Sequence, residues 1–273
     1  MKFSIITINY NEGAGLKRTI DSVLSQTCRD YEYIVIDGGS TDNSIEAIRQ
    51  NAEGIAYWTS EKDRGIYHAM NKGIKAAKGD YCIFMNSGDT FYDTEALAHV
   101  VTAGQWADVV CGDICFGEDN ICPNPERVTM KTFYKHTLYH QASFISTPLL
   151  KAHPYDDTMR SAADWKWFLQ ALVFHNASYA HIPVTIARFE GGGFSEKQHA
   201  VGQQEVEEEL QQCLPPRVLE DYEDYCVGLS PYRKMMNGIE NVPMLKKLFF
   251  STNKFVLNIL NLKLKSEWIK ELG

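Results

Sequence analysis

The chain has 273 residues, of which 44% are hydrophobic and 23% charged, a composition typical of a folded protein with room for one large domain and an extension. Its formal net charge of -8 argues against a nucleic-acid partner, because nucleic-acid-binding proteins use an excess of Lys and Arg to replace counterions on phosphates. A small anionic ligand remains compatible with this charge, since helix dipoles and one or two cations can hold it.

Cysteine content and the N-terminal sequence bear on the cellular setting. The seven cysteines are an odd number, and MKF leads directly into structured-looking sequence without a secretory signal. We therefore expect free thiols and a cytoplasmic location. Cys111, Cys115 and Cys122 lie close together, but their spacing matches no zinc pattern and a fourth ligand is missing, which favours ordinary thiols. No apolar run reaches the ~20 residues that a membrane span needs.

The first part of the chain predicts four strands, each followed by a helix. The predicted strands are rich in β-branched and aromatic residues: FSIITI (3–8), YIVID (33–37), IAYWTS (55–60) and YCIFM (81–85). Helical periodicity follows in each case, around 16–24, 42–48, 66–78 and 93–103. Strands that alternate with helices predict an α/β fold whose sheet is parallel and covered on both faces.

The regular alternation ends after ADVVCGD (107–113), where two prolines mark a long connection. A strand is predicted at SFIST (143–147), a helix near 162–174 and a β-rich stretch at SYAHIPVTIARF (178–189). We therefore expect an asymmetric domain, with a parallel first half and a mixed second half.

The C-terminal region changes in charge. Residues 205–224 carry eight acidic side chains against one Arg, whereas residues 244–273 carry six Lys against two Glu. From Lys247 the polar residues form one narrow stripe on a helix, and apolar residues fill most of the remaining circumference. Two partners would cover that apolar surface: the protein's own domain or a second copy, forming a homo-oligomer, or the cytoplasmic membrane surface, which would make the protein peripheral.

Polar loops follow all four predicted parallel strands. They read NYNE, DGGSTD, EKDRG and NSGD, and in open α/β sheets such loops meet at one ligand-binding crevice. The first loop lacks the G-x-G-x-x-G of dinucleotide enzymes, and no P-loop pattern is present. Tyr10 suits stacking on a base, and Asp37 suits accepting a hydrogen bond from a base N–H. Ordinary turns are the alternative, and they explain any one loop taken alone.

Three segments in register resemble family-2 glycosyltransferases with the GT-A fold. These are SIITINYNEGAGLKRTIDSVLSQT, YEYIVIDGGSTDNS and DRGIYHAMNKGIKAAKGDYCIFMNSGDTFY. In the second half, HQASF (140–144), SAADWKWFL (161–169) and FEGGGFS (189–195) are similar to bacterial surface-polysaccharide members of the colanic-acid type. The resemblance implies a GT-A fold, with a mostly parallel Rossmann-like sheet flanked by helices and a helical C-terminal extension.

The resemblance also implies a domain organisation. Residues 1–195 would form the GT-A domain, with a nucleotide-binding half at about 1–112 and an acceptor half at about 113–195. Residues 196–243 would be an acidic helical linker, and residues 244–273 a basic amphipathic helix.

On the donor side, the resemblance implies contacts with a nucleotide-diphosphate sugar. The implied donor-binding residues lie near the end of the first strand, in the four loops and in the third helix: Thr7, Asn9, Tyr10, Glu12, Asp37, Asp63, Arg64, Asn71, Asn86 and Ser87. Arg64 suits diphosphate oxygens as a planar fork of donors, with an exposed surface charge as the alternative. Asn71 is a poor helix former inside a predicted helix, which favours a task for its side chain.

The loop Asn86-Ser87-Gly88-Asp89 stands where the family places two or three acidic residues that bind Mn²⁺ or Mg²⁺. Asp89 is therefore the expected metal ligand, and Asn86 could offer a neutral oxygen. Gly88 has no side chain to contribute, so the motif is poorer in carboxylates than the family pattern.

On the acceptor side, Asp164 matches the family's catalytic base, and His140 and Gln141 would line the site of a saccharide or lipid-linked acceptor. A base that removes the acceptor proton during a single displacement inverts the anomeric centre. A carboxylate favoured by a helix dipole is the alternative for Asp164. His136 and His140 stand four residues apart, which favours packing on one helix over metal binding. The alternative function is a non-catalytic GT-A-like binding or scaffold subunit, suggested by the depleted acidic motif.

Overall fold

The structure, a computed structural model, describes residues 2–117, 119–189, 191 and 198–222. The chain divides into two compact units, Met1–Glu209 and Leu210–Gly273. The first unit includes the first part of the acidic segment, up to Glu209.

The first half of the first unit forms a parallel sheet, as predicted. Strands β1 (Phe3–Asn9), β2 (Tyr31–Asp37), β3 (Tyr57–Ser60) and β4 (Tyr81–Phe84) pair in the order β3-β2-β1-β4. All residues of β1 are buried, because helices cover both faces of a central parallel strand. Those helices are α1 (Gly13–Leu24), α2 (Ser44–Gln50), α3 (Ile66–Ala76) and α4 (Ala96–Ala103).

The second half adds mixed pairing. Strands β5 (Thr90–Phe91), β6 (Val109–Phe116), β7 (Asn120–Cys122), β8 (Ser143–Ser146) and β9 (Tyr179–Phe189) extend the sheet in the order β4-β8-β6-β9-β5, with β7 beside β6. β8 is antiparallel to both β4 and β6, whereas β6 and β9 are parallel. The expected asymmetric α/β domain, with its mixed second half, is confirmed.

The helices of the second half are short. They are α5 (Thr132–Lys135), α6 (Thr147–Ala152) and α7 (Ala163–Phe168), and α7 continues as a π-helix over Leu169–Phe174. The predicted helix near 162–174 is therefore one continuous helical segment whose last part is wider than an α-helix. The apolar side chains of this segment, such as Phe168 and Leu169, are buried.

The first eleven residues of helix α8 (His199–Cys213) belong to the first unit. The described part of the second unit is residues 210–222, which contains the end of α8 and a further helical stretch over 216–222. The predicted amphipathic helix at 244–273 lies outside the described residues. Across the described ranges, no helix combines the length and apolar character needed to cross a membrane.

Candidate active site

Three of the four polar loops are joined by the side chain of Asn9. Asn9 and Asp37 are partners in the register of β1 and β2, which places both at the carboxyl edge of the sheet. Asn9 Nδ2 donates to Asp37 Oδ1 at 2.7 Å, and Ser87 Oγ donates to Asn9 Oδ1 at 2.9 Å. The convergence expected from the parallel strands is therefore present at side-chain level.

Asp37 is fully buried, and protein donors occupy both of its carboxylate oxygens. Oδ1 accepts from Asn9 Nδ2 and from Ser40 Oγ, the latter at 2.6 Å. Oδ2 accepts from the backbone N–H groups of Gly39 and Ser40 at 3.1 and 2.9 Å and from Ser60 Oγ at 2.6 Å. Burial alone would raise the pKa of Asp37, but these hydrogen bonds outweigh it and lower the pKa. In this arrangement Asp37 organises the loop, and each of its oxygens accepts at least two hydrogen bonds from the protein.

The two carboxylate oxygens of Asp63 have different surroundings. Its Oδ1 pairs with His68 Nδ1 at 2.9 Å and with Lys72 Nζ at 2.6 Å, which fixes the carboxylate. Its Oδ2 is buried and has no hydrogen-bond partner among the described residues. A methyl group added at Gly38 would lie 3.2 Å from Tyr10 Cδ2 and 3.3 Å from Asp63 Oδ2, so the ring and the unpartnered oxygen border the same small space. Tyr10 is 65% exposed, which leaves a ring face open for stacking.

Three other predicted donor residues have structural partners. Thr7 is fully buried, and its hydroxyl donates to the Met85 carbonyl at 2.6 Å, so this placement does not support a direct donor contact. Asn71 donates to the Tyr155 carbonyl at 2.8 Å and accepts from the Tyr155 N–H at 3.0 Å, which accounts for an asparagine inside α3. Arg64 is 72% exposed and forms an ion pair with Asp157 at 2.7 Å.

The loop after β4 turns back on α1. The Asp89 N–H donates to the Asn86 carbonyl at 2.9 Å, and Gly88 between them has a φ of +99°, which glycine adopts without strain. Thr19 Oγ1 accepts from the Gly88 N–H at 3.0 Å and donates to the Asp89 carbonyl at 2.7 Å. Glu12 is exposed at the start of α1, and its side chain lies beside Gly15. The role of Thr19 could not be predicted from the sequence, because a threonine within an amphipathic helix carries no distinguishing signal.

Whether this loop suits a divalent cation depends on Asn86 and Asp89. Asn86 Oδ1 is buried without a hydrogen-bond partner in the described ranges, so a hard oxygen ligand is available. Burial raises the pKa of Asp89 to about 7, and a bound dication would favour its charged form. The described residues contain no cluster of three or more His, Cys, Asp or Glu arranged around a metal. Asn86 Oδ1 and the Asp89 carboxylate are therefore the two side-chain oxygens of this loop that would be available to a divalent cation.

Asp164 lies at the start of α7 in a half-buried hydrogen-bonded cluster. Its Oδ1 accepts from Tyr67 Oη and from the Trp165 N–H, both at 2.9 Å. Its Oδ2 lies 3.0 Å from His140 Nδ1. The contact between Tyr67 and Asp164 could not be predicted from the sequence, where Tyr67 is simply an aromatic residue in the motif that contains Asn71.

His140 connects Asp164 to the loop after β4. It begins a 3-10 turn over His140–Ala142, whereas His136 is an extended residue after α5, so the predicted helix carrying both histidines is wrong. The intervening residues Thr137, Leu138 and Tyr139 are not helical. His140 Nε2 lies 3.3 Å from Asn86 Nδ2, so the ring contacts Asn86 on one side and Asp164 on the other.

The charges of His140 and Asp164 are coupled. Burial alone would lower the pKa of His140, but the hydrogen bond to Asp164 and the nearby carboxylates raise it overall. Burial alone would raise the pKa of Asp164, but the hydrogen bonds from His140 and Tyr67 lower it overall. Asp164 is therefore ionised at neutral pH, which a proton acceptor requires.

Gln141 lies next to His140 and hydrogen-bonds to the Asp89 side chain. The residues predicted for metal and acceptor thus lie in one contiguous cluster with Asp164. The donor residues Asn9 and Ser87 join this cluster through the loop after β4.

Comparison with known proteins shows which family this chain matches. The family model described as Glycosyl transferase family 2 matches residues 4–158. An uncharacterised glycosyltransferase of Mycobacterium tuberculosis (strain CDC 1551 / Oshkosh) is 38% identical over 177 residues, covering 62% of this chain and 68% of the relative.

Two solved structures share the fold. TarS 1–349 of S. aureus in complex with UDP-GlcNAc matches with a TM-score of 0.60 and 19% identity, covering 71% of this chain and 59% of that one. The mannosyltransferase PcManGT from Pyrobaculum calidifontis, in complex with GDP-Man and Mn²⁺, matches with a TM-score of 0.60 and 16% identity, covering 93% of this chain and 80% of that one. The α/β fold is the GT-A fold, which confirms the expected fold class.

Proposed function

The chain belongs to glycosyl transferase family 2, and on this premise we propose that it is an inverting glycosyltransferase. It moves a sugar from a nucleotide-diphosphate donor to a hydroxyl of a saccharide or lipid-linked acceptor in cell-surface polysaccharide synthesis. The observation that carries the proposal is the half-buried, ionised Asp164, held by Tyr67 and His140 within the same cluster as Asn86 and Asp89. A structural carboxylate at a helix start would not need this connection to the edge of the sheet.

The donor nucleotide would lie between the first loop, which carries Tyr10, and the third loop, which carries Asp63. Tyr10 offers an exposed ring for stacking, and Asp63 Oδ2 offers a buried acceptor for a base N–H. UDP-GlcNAc and GDP-Man in the structural neighbours support a nucleotide-sugar donor as the substrate class. Asp37 would support this site indirectly, by holding Asn9 and the backbone of Gly39 and Ser40.

A divalent cation, Mn²⁺ or Mg²⁺, fits the loop after β4. Asn86 Oδ1 and the Asp89 carboxylate are the side-chain oxygens that would hold it. The bound cation would neutralise charge on the leaving diphosphate. Mn²⁺ in the PcManGT complex supports a divalent ion in this fold.

Asp164 would act on the acceptor. Its carboxylate takes the proton of the attacking hydroxyl as the new bond forms between the acceptor oxygen and the anomeric carbon. The bond from the anomeric carbon to the diphosphate oxygen breaks on the opposite face, which inverts the centre. Tyr67 and His140 fix the orientation of the carboxylate by hydrogen bonds to different oxygens.

A non-catalytic nucleotide-sugar-binding subunit is the second candidate, favoured by one observation. The loop after β4 contains a single carboxylate, Asp89, whose pKa is raised by burial to about 7. Such a subunit would bind a nucleotide sugar without turnover.

The test begins with a panel of nucleotide sugars in a thermal-shift assay with and without Mn²⁺, because binding to the native state raises its stability. The stabilising donor is then incubated with candidate acceptors, and the anomeric configuration of any product is determined by NMR. Inverted product supports the proposal. If the protein binds the donor but neither transfers the sugar nor hydrolyses the donor, the result supports the binding subunit. A product whose anomeric centre keeps the configuration of the donor refutes the single displacement.

A further inference from the structure

We propose that Glu205, on α8, is a positioning residue for the catalytic carboxylate Asp164. This inference rests on the proposed function, since it assumes that Asp164 takes the acceptor proton. Glu205 lies in the acidic segment that the sequence analysis treated as a linker, outside the predicted catalytic domain.

The Glu205 carboxylate binds three consecutive backbone N–H groups in the turn before α7. Oε1 accepts from the N–H of Arg160 at 2.5 Å. Oε2 accepts from the N–H groups of Ser161 and Ala162, both at 2.9 Å. Hydrogen bonds to a charged acceptor are stronger than those between neutral groups, so one side chain fixes the backbone of the whole turn.

The start of the helix adds no side-chain anchor of its own to this turn. α7 begins at Ala163, and its N-cap residue Ala162 makes no side-chain capping hydrogen bond. Ala162 is also buried, so water cannot readily replace a lost partner. Asp164 is two residues beyond Ala162, and the direction of its side chain therefore depends on how this turn is held.

The rest of α7 has independent anchors. Trp165 Nε1 donates to the Phe133 carbonyl at 2.9 Å, and Lys166 Nζ forms an ion pair with Glu209 at 2.8 Å. Trp167 Nε1 donates to the His153 carbonyl at 2.6 Å. Removal of the Glu205 carboxylate should therefore leave α7 folded while the turn at 160–162 gains freedom.

Close packing brings α8 to this turn. A methyl group added at Gly202 would lie 3.1 Å from Ser161 Oγ, a tighter approach than side chains normally make. Gly202 and Glu205 are three residues apart and so lie on the same face of the helix. Because Gly202 has no side chain, α8 can lie close to the turn at 160–162, and the Glu205 side chain can then reach three backbone N–H groups at once.

The test compares Glu205→Ala and Glu205→Gln with Glu207→Ala, a matched control that removes an exposed carboxylate from the same helix. For Glu205→Ala we expect kcat to fall by about 10- to 100-fold, the scale of a small misplacement of a reacting group, with donor Kd and KM within about twofold of wild type. The kcat of Glu205→Gln should lie between those of wild type and Glu205→Ala, because an amide retains one acceptor oxygen but no charge. Glu207→Ala should match wild type.

Two further readouts separate positioning from general damage. Amide hydrogen exchange at residues 160–162 should accelerate in Glu205→Ala, while exchange in the sheet stays as in wild type. Added formate, a small carboxylate, should restore kcat of Glu205→Ala in a saturable way and leave wild type unchanged. Normal kcat in Glu205→Ala beside faster exchange at 160–162 overturns the proposal, as does an equal loss of donor affinity and kcat.

Failure of the proposed function gives a different result. In that case wild type shows no turnover with any donor of the panel, or Asp164→Asn turns over as fast as wild type. The positioning role alone fails when wild type is active, Asp164→Asn is inactive and Glu205→Ala is normal.

Discussion

The substitution Asp37→Asn separates two roles for this carboxylate, reading the base and holding the loop. In the structure it receives five hydrogen bonds, three on Oδ2 and two on Oδ1. An amide nitrogen at the Oδ2 position would face the N–H groups of Gly39 and Ser40. At the Oδ1 position it would face Asn9 Nδ2, and the Ser40 hydroxyl there can reverse to become an acceptor. Placing the amide nitrogen at the Oδ1 position costs less. It still loses the hydrogen bond from Asn9 Nδ2, and the remaining four hydrogen bonds no longer end on a negatively charged acceptor.

The expected loss in free energy of unfolding is about 2–4 kcal/mol, from one buried charge-assisted hydrogen bond of about 1.5–3 kcal/mol and the weakening of its neighbours. Urea unfolding of both proteins at neutral pH measures it. Because the folded pKa of Asp37 is lowered, its stabilisation is present above the ordinary value of 3.8 and is lost as pH falls through the folded pKa. The difference between the two proteins should therefore shrink below pH 3.8.

Asp63→Asn is the contrasting variant. It should weaken donor binding by calorimetry, because Oδ2 is the unpartnered acceptor beside Tyr10, and leave the hydrogen bonds of Asp37 intact. If Asp37→Asn keeps its stability and loses donor affinity while Asp63→Asn binds normally, the assignment of these two carboxylates is refuted.

Four further outcomes are expected. Asp164→Asn should keep donor affinity and lower turnover by roughly 10²-fold or more, the scale of a lost general base; near-normal turnover of the purified variant would remove Asp164 from the mechanism. Asp89→Ala should abolish the stimulation of donor binding by Mn²⁺, and equal stimulation in a donor titration would place the cation elsewhere. Tyr10→Ala should weaken donor binding by about 0.5–1.5 kcal/mol, the scale of an aromatic stacking contact, with unfolding by urea unchanged, and unchanged affinity would exclude stacking on this ring. Co-sedimentation with anionic liposomes, measured for the 273-residue chain and for a chain ending at Val242, separates the two roles predicted for the tail: binding that requires the tail assigns it to the membrane surface, whereas protein that stays in the supernatant while truncation changes only oligomeric mass assigns it to assembly.

The sequence by itself determined the parallel half of the fold and the edge at which the site forms. Apolar runs such as FSIITI are short and rich in β-branched residues, and this local signal is enough to define a buried strand. Once the strands are parallel, their carboxyl ends must lie at one edge, so Asn9, Asp37 and Ser87 were predicted close together before any distance was known. The motifs that resemble the family likewise depend on order and spacing, which a sequence shows directly.

Only the tertiary structure decided what each of these side chains contacts. Asp37 and Asp63 are both aspartates in strand-end loops, yet Asp37 receives five hydrogen bonds while Asp63 keeps one buried oxygen without a partner among the described residues. The pairing of His140 with Asp164 and the capping of residues 160–162 by Glu205 join positions 24 and more than 40 residues apart. Periodicity reports only the local backbone and the buried face, whereas hydrogen bonding depends on ångström-scale distances that arise when separate elements pack.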